Sequence, residues 1–271
     1  MRSVAGAGVV VTGGGSGIGA ALSRRFTAEG ARVVVNDING AAAEAVAQAC
    51  RAAGAGGAAG AAGQATAVPG DAASEEGVAA LISAARAQLG EIDVFCANAG
   101  IARGGGPEAA GADWEASWQV NVMAQVRAAR LLLGPWLQRG SGHLICTVSA
   151  AGLLSMPGSA PYAVTKHAAL AFAEWMAFTY AHRGLTVQAI CPQGVQTPML
   201  EGSDARAKLL LEDSAVPPEA VADAVIEGMA AGRFLILPHP DVADRYAGRA
   251  TETDRWLRGM SRLQQRLEEL A

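Results

Sequence analysis

Two groups of residues in this sequence have types and spacings suited to chemistry. In YAVTK, Tyr162 and Lys166 stand four apart, so on a helix they share one face and set a phenol beside an ammonium. Ser149 closes the apolar run HLICTVS, and Asn121, a poor helix former flanked by two valines, predicts a local distortion inside a helical stretch. The second group is TGGGSGIG at 12–19, directly after Val9-Val10-Val11. Glycines permit tight turning and close backbone approach, and the helix that follows offers free N–H groups and the positive end of its dipole. A strand, such a turn and a helix together predict a pyrophosphate site. Asp37 ends VVVND eighteen residues after Gly19, where an acidic side chain meets the ribose hydroxyls of an adenosine. It would repel a 2′-phosphate, and neither 36, 38 nor Ser16 is basic, so NAD is expected rather than NADP. Singly, each has a plainer explanation: a YxxxK pair is commonly an ordinary helix face, and Ser149 and Asp37 can be strand-end caps.

The rest of the chain must position these groups. Apolar runs rich in β-branched residues at 9–11, 32–36, 65–68, 92–97, 143–148, 186–191 and 234–237 read as strands. Helical periodicity falls between them, at about 17–29, 41–53, 75–89, 113–138, 160–182 and 218–231. Strands of this kind joined by helices imply a doubly wound, seven-stranded, mostly parallel sheet in a three-layer α/β/α sandwich of Rossmann type, with ligands at the carboxyl ends of the strands. One domain is expected over residues 1–271. Residues 193–216 form a long connection, expected to be a lid, and the tail from 241 carries Trp256, Leu257, Met260, Leu263, Leu267 and Leu270 at helical spacing. Residues 52–63 are Ala/Gly low complexity, read as an extended connection. A net charge of −4 with 17% charged residues speaks against nucleic acid as a partner. With no apolar stretch long enough for a bilayer and no signal peptide, a cytoplasmic protein is expected. Cys50, Cys96, Cys146 and Cys191 are too scattered for a disulfide framework or a zinc site, and none of the four His is assigned a role.

In ordered combination these features resemble the short-chain dehydrogenase/reductase family, from about residue 5 to 200. The marks are Thr12-Gly13, then Gly17-Ile18-Gly19, Asp71 after the third strand, ANAG at 97–100, Asn121, Ser149, the Tyr162/Lys166 pair thirteen residues on, and PQGVQTP at 192–198. Two departures occur: Ala97 stands where Asn is frequent, and Pro192-Gln193-Gly194 where Pro-Gly is usual. The resemblance implies a catalytic set of Asn121, Ser149, Tyr162 and Lys166. Tyr162 would take the hydroxyl proton of an alcohol, Lys166 would lower the phenol's pKa and grip a ribose, Ser149 would align the substrate oxygen, and Asn121 would hold a proton-relaying water. It also implies cofactor contacts from Gly13, Ser16, Gly17, Ile18 and Gly19 in the turn. Further contacts are Asp71 and Ala72 at the adenine, Asn98, Ala99 and Gly100 at its ribose, and Pro192, Val195 and Thr197 near the nicotinamide.

The expected substrate is a secondary alcohol or ketone, neutral and fairly apolar, because the walls at 150–161 and 197–214 contribute Leu153, Leu154, Met156, Met199 and Leu200. Arg103 and Arg206 read as solvated surface charge. Two other functions stay open: an NADP-linked carbonyl or ketoacyl reductase, and a dinucleotide-binding regulator without catalysis. The resemblance implies a homodimer or homotetramer, and the bulky Phe172, Trp175, Met176, Phe178 and Tyr180 exceed what one core-facing stripe needs.

Overall fold

A computed structural model describes residues 3–54 and 63–269. Most of the Ala/Gly stretch at 52–63, and Leu270 of the tail stripe, lie outside the described residues. The first half of the chain forms β1 (Gly8–Val11), α1 (Gly17–Ala28), β2 (Arg32–Val35), α2 (Gly40–Gly54), β3 (Gln64–Ala67), α3 (Glu75–Leu89) and β4 (Val94–Ala97). Next come α4 (Gly111–Trp118), a π-helical turn (Gln119–Met123), α5 (Ala124–Arg139), β5 (Gly142–Thr147), α6 (Ala151–Leu154) and α7 (Ala160–Tyr180). The chain closes with β6 (Leu185–Ile190), α8 (Pro198–Glu201), α9 (Ala205–Leu211), α10 (Pro218–Ala231), β7 (Leu235–Ile236), α11 (Asp241–Thr251) and α12 (Thr253–Glu269).

The strands form one sheet in the order β3-β2-β1-β4-β5-β6-β7, every neighbouring pair parallel. Alternation along the central strands supplies both faces. Val10 joins Phe95, Leu144 and Val187 in a core with residues of α3, α5 and α7, while Val9 and Val11 join Val94, Ile145 and Ile190 in a core with residues of α1, α2 and α10. All of β1 and β5 is buried, which accounts for their unbroken apolar character. From β1 the chain winds outward to β3, then returns to place β4 on the other flank of β1. Connections therefore diverge at the carboxyl ends of β1 and β4, and a crevice opens there.

Three details differ from the sequence reading. The helix expected at 113–138 is α4 and α5 joined through the π-helical turn that contains Asn121. The seventh strand has only two residues, and the 193–216 connection holds α8 and α9. No helix among the described residues is long and apolar enough to cross a membrane. The four cysteines are buried and free, and no metal-ligating cluster occurs among the described residues.

Candidate active site

The glycine turn sits at the crevice mouth. Gly13 and Gly17 have φ of 62° and 49°, conformations that favour glycine. A Cβ on Gly15 would stand 2.8 Å from Asp37 Oδ2, and one on Gly19 would stand 2.1 Å from the Gly13 carbonyl oxygen. Side chains are thus excluded from the turn, and the backbone is left bare toward the cleft. Ser16 occupies the N-cap of α1 without capping it, so the first N–H groups of that helix keep their capacity for an anion. Asp37 accepts from the Gly15 N–H at 3.0 Å and the Asn39 N–H at 2.9 Å, which fixes its carboxylate beside the turn. Asp71 accepts from the Ala73 and Ser74 N–H groups at 2.8 and 3.0 Å. Hydrogen bonding from Ser74 chiefly holds its carboxyl below the usual range.

Asn98 is a brace. Its Nδ2 donates to the Thr12 carbonyl at 2.9 Å and its Oδ1 accepts from Thr147 Oγ1 at 3.0 Å, tying the ends of β1, β4 and β5 together. Thr12 completes the knot, its Oγ1 accepting from the N–H groups of Asn98 and Ala99 at 3.0 Å each.

The catalytic candidates converge on the end of β5. Lys166 is buried and donates to the Thr147 carbonyl at 2.9 Å, with its ammonium 5.5 Å from the centre of the Tyr162 ring. Burial lowers its pKa to about 8. Burial also pushes the Tyr162 phenol above its usual value, against the pull of hydrogen bonding with Ser149. Ser149 is buried, and its Oγ accepts from the Ala151 N–H at 3.0 Å. In the π-helical turn, the Asn121 side chain donates to the Ile101 carbonyl at 2.9 Å and to Thr165 Oγ1 at 3.1 Å, and accepts from the Ile101 N–H at 2.9 Å. Its amide is therefore spent on joining the loop after β4 to α7. A Cβ on Gly100 would lie 3.3 Å from Asn121 Oδ1 and 3.4 Å from Lys166 Nζ, so Gly100 keeps the space between them narrow and open.

One continuous cavity of about 1330 Å³ runs from Asp37 and Asp71, past Ser149, Tyr162 and Lys166, to α9, α11 and α12. Its extent suits a dinucleotide with a second molecule beside it. At the base of the 193–216 connection, the Thr197 methyl side packs against Gly17, whose Cβ would stand 2.8 Å from Thr197 Cγ2. Thr197 Oγ1 donates to the Val195 carbonyl at 3.1 Å rather than capping α8, and Val195 pairs with Val216.

Residues 7–208 match the short chain dehydrogenase family. The chain belongs to that family. It is similar to the 1-deoxy-11-beta-hydroxypentalenate dehydrogenase of Streptomyces exfoliatus, with 38% identity over 249 residues, 87% of this chain and 84% of the relative. The cis-4-hydroxycyclohexanecarboxylate dehydrogenase of Sinomonas cyclohexanicum is 33% identical over 223 residues, 80% of this chain and 86% of the relative. Among solved structures, a short chain dehydrogenase/reductase from Burkholderia phymatum in complex with NAD superposes with a TM-score of 0.84 at 25% identity, covering 94% and 96% of the two chains. This member of the short chain dehydrogenase family is thus an oxidoreductase built on a nicotinamide dinucleotide fold.

Every site residue expected from the sequence reaches one wall or another of the cleft except Asn121, which stands behind it with Thr165. Sequence reasoning missed Thr147, whose carbonyl holds Lys166. A backbone carbonyl carries no residue-type signal, so only the place of Thr147 at the end of an apolar run, two residues before Ser149, pointed to it. It also missed Arg249 and Trp256, which reach the cleft only because the tail folds back over it.

Proposed function

We propose that this enzyme transfers hydride between NAD(H) and a secondary alcohol or ketone with an apolar body. The observation that carries the reading is the buried Lys166 ammonium 5.5 Å from the Tyr162 ring, with Ser149 at the end of the adjoining strand, in the same cavity as the glycine turn. Asp37, Asp71 and the backbone around Ala72, Ala99 and Gly100 would hold the adenosine half of the cofactor. Gly13, the start of α1 from Ser16 to Gly19, Pro192, Val195 and Thr197 would hold the pyrophosphate and nicotinamide. Bound, that group supplies a hydride acceptor or donor and, when oxidised, a positive ring. The chain's own part is proton movement and orientation. Ser149 Oγ donates to the substrate oxygen and aligns it, and the Tyr162 phenolate takes the hydroxyl proton in oxidation and returns it in reduction. Lys166 stabilises the phenolate, each pKa unit amounting to about 1.4 kcal/mol. The carboxylate of Asp37, with no cation at 36 or 38, favours two ribose hydroxyls over a 2′-phosphate. The 193–216 connection acts as the lid over this cleft.

Relatives named for a hydroxypentalenate and a hydroxycyclohexanecarboxylate support a cyclic, largely apolar substrate. The test is reduction of a panel of cyclic ketones with NADH by the wild type and by Tyr162→Phe. The variant is expected to lose turnover by about 10³-fold or more while its NADH affinity stays within about two-fold. Unchanged turnover in the variant would remove Tyr162 from the mechanism.

A further inference from the structure

The outer part of the cleft, beyond the catalytic residues, collects six guanidiniums: Arg103, Arg206, Arg245, Arg249, Arg255 and Arg262. Arg103 pairs with Asp113 at 3.5 Å, Arg245 with Asp241 at 3.0 Å and Arg255 with Glu252 at 2.8 Å. Arg206, Arg249 and Arg262 have no carboxylate within 4.0 Å among the described residues. The remaining carboxylate of this region, Asp204, accepts from the Ala207 N–H at 2.8 Å as the N-cap of α9. Glu108, in the small hollow alongside Arg206, accepts from the Gly106 N–H at 2.8 Å. Asp37 and Asp71 belong to the opposite, adenosine end.

Arg249 is held with one edge spare. Its Nη1 donates to the Leu153 carbonyl and to His167 Nε2, the latter at 2.9 Å. His167 Nδ1 lies 2.8 Å from the Ala163 carbonyl and must donate there, which leaves Nε2 as the acceptor. The guanidinium carbon lies 4.9 Å from the centre of the Trp256 ring. Both N–H bonds of Nη1 are thereby used, while Nε and Nη2, the edge that matches a carboxylate, make no hydrogen bond among the described residues. Arg206, half-buried on α9, makes no hydrogen bond there either. The same cavity is also lined by the apolar Leu154, Met156, Leu210, Trp256, Met260 and Leu263.

We propose that the substrate's apolar body carries a carboxylate, which the free edge of Arg249 binds in bidentate fashion with Arg206 beside it. A planar carboxylate fits the Nε/Nη2 fork, and both cations come from elements that close over the substrate. This rests on the hydride-transfer reading above, because the alcohol end must reach Ser149 and Tyr162. The expectation of a neutral substrate took Arg206, within the 197–214 wall, as solvated surface charge and left out α11 and α12, which bring Arg249 to the same cavity.

NADH is titrated calorimetrically into the protein first. Cyclohexanecarboxylate and adamantane-1-carboxylate, each against its own amide, are then titrated into the NADH complex and into the protein alone. Each acid is expected to bind about ten-fold or more tightly than its amide. The preference is expected to shrink in Arg206→Gln, which removes no hydrogen bond or ion pair among the described residues, and in Arg249→Lys, which keeps the charge and loses the fork. NADH affinity should stay within about two-fold in both, and raising salt from about 50 to about 500 mM should weaken the acids more than the amides. Equal binding of acid and amide, no binding of either acid, or a preference that survives in the double variant would each overturn the proposal. Failure of NADH alone to bind, with the acids still preferred, would strike at the hydride-transfer reading instead.

Discussion

At the scale of single residues, the site is a phenol that the folded chain by itself makes a weaker acid. Burial raises Tyr162, and Lys166, lowered to about 8 but still largely protonated at neutral pH, stands by its ring rather than in a tight pair. On the proposed reading the positive nicotinamide ring of the oxidised cofactor would supply favourable charge, so proton abstraction should become competent only when the cofactor is bound. The midpoint of the phenolate absorbance, taken as wild type minus Tyr162→Phe, is expected above the ordinary pH 10 of tyrosine without NAD and lower with it. A midpoint at or below pH 10 in the free protein would contradict this. Tyr162 and Lys166 were legible in the sequence from their four-residue spacing and Ser149 from its place at the end of an apolar run, while the roles expected of them came from the resemblance to the family. Asn98 was legible only as a position, because its bonds to Thr12 and Thr147 join three strands that are distant in the chain.

At the scale of elements, a departure from the family pattern has a structural partner. Gln193 stands where Pro-Gly is usual, and its N–H donates to His239 Nδ1 at 3.2 Å while its Nε2 reaches the Asp241 carboxylate at 3.0 Å. His239 Nε2 donates in turn to the Ser214 carbonyl at 3.1 Å. Both ends of the 193–216 connection are therefore fastened to the start of α11. In His239→Ala, amide exchange over 197–213 is expected to accelerate and the substrate KM to rise several-fold, with NADH affinity within about two-fold. Unchanged exchange there would deny His239 this role. The sequence marked the connection as long but could not show its anchor, since residues 193, 214 and 239 share no local pattern. The distortion at Asn121 was legible from one residue's poor helix propensity between two valines, and it is the π-helical turn that aims Asn121 at Thr165.

At the scale of the whole molecule, the parallel, doubly wound sheet and its three layers followed from alternating apolar runs and helices, while the strand order came from the fold. The tail did not: α12 carries a helical stripe, but only the fold shows that its inward face roofs the cleft. Stability also has a global acid limit. Gln188 Nε2 donates to the Gly228 carbonyl at 3.0 Å, so its Oε1 must accept from His143 Nε2 at 2.8 Å, leaving His143 Nδ1 buried and without a partner among the described residues. Burial lowers the imidazole to about 4 from an ordinary 6.5. Between those values the unfolded chain binds the proton and the folded chain does not, so stability is full above pH 6.5 and falls toward pH 4, by up to about 3 kcal/mol. Denaturant midpoints across that range should fall in the wild type and fall less in His143→Leu, and parallel curves would contradict the assignment. The cleft these layers create is proposed to be a dinucleotide site whose ribose end Asp37 reads. Thermal-shift titration with NADH and NADPH in parallel tests it most directly, since a ligand of the native state raises its stability according to concentration over affinity. A selective shift with NADH is the expected result; a larger shift with NADPH, or none with either, would contradict that assignment.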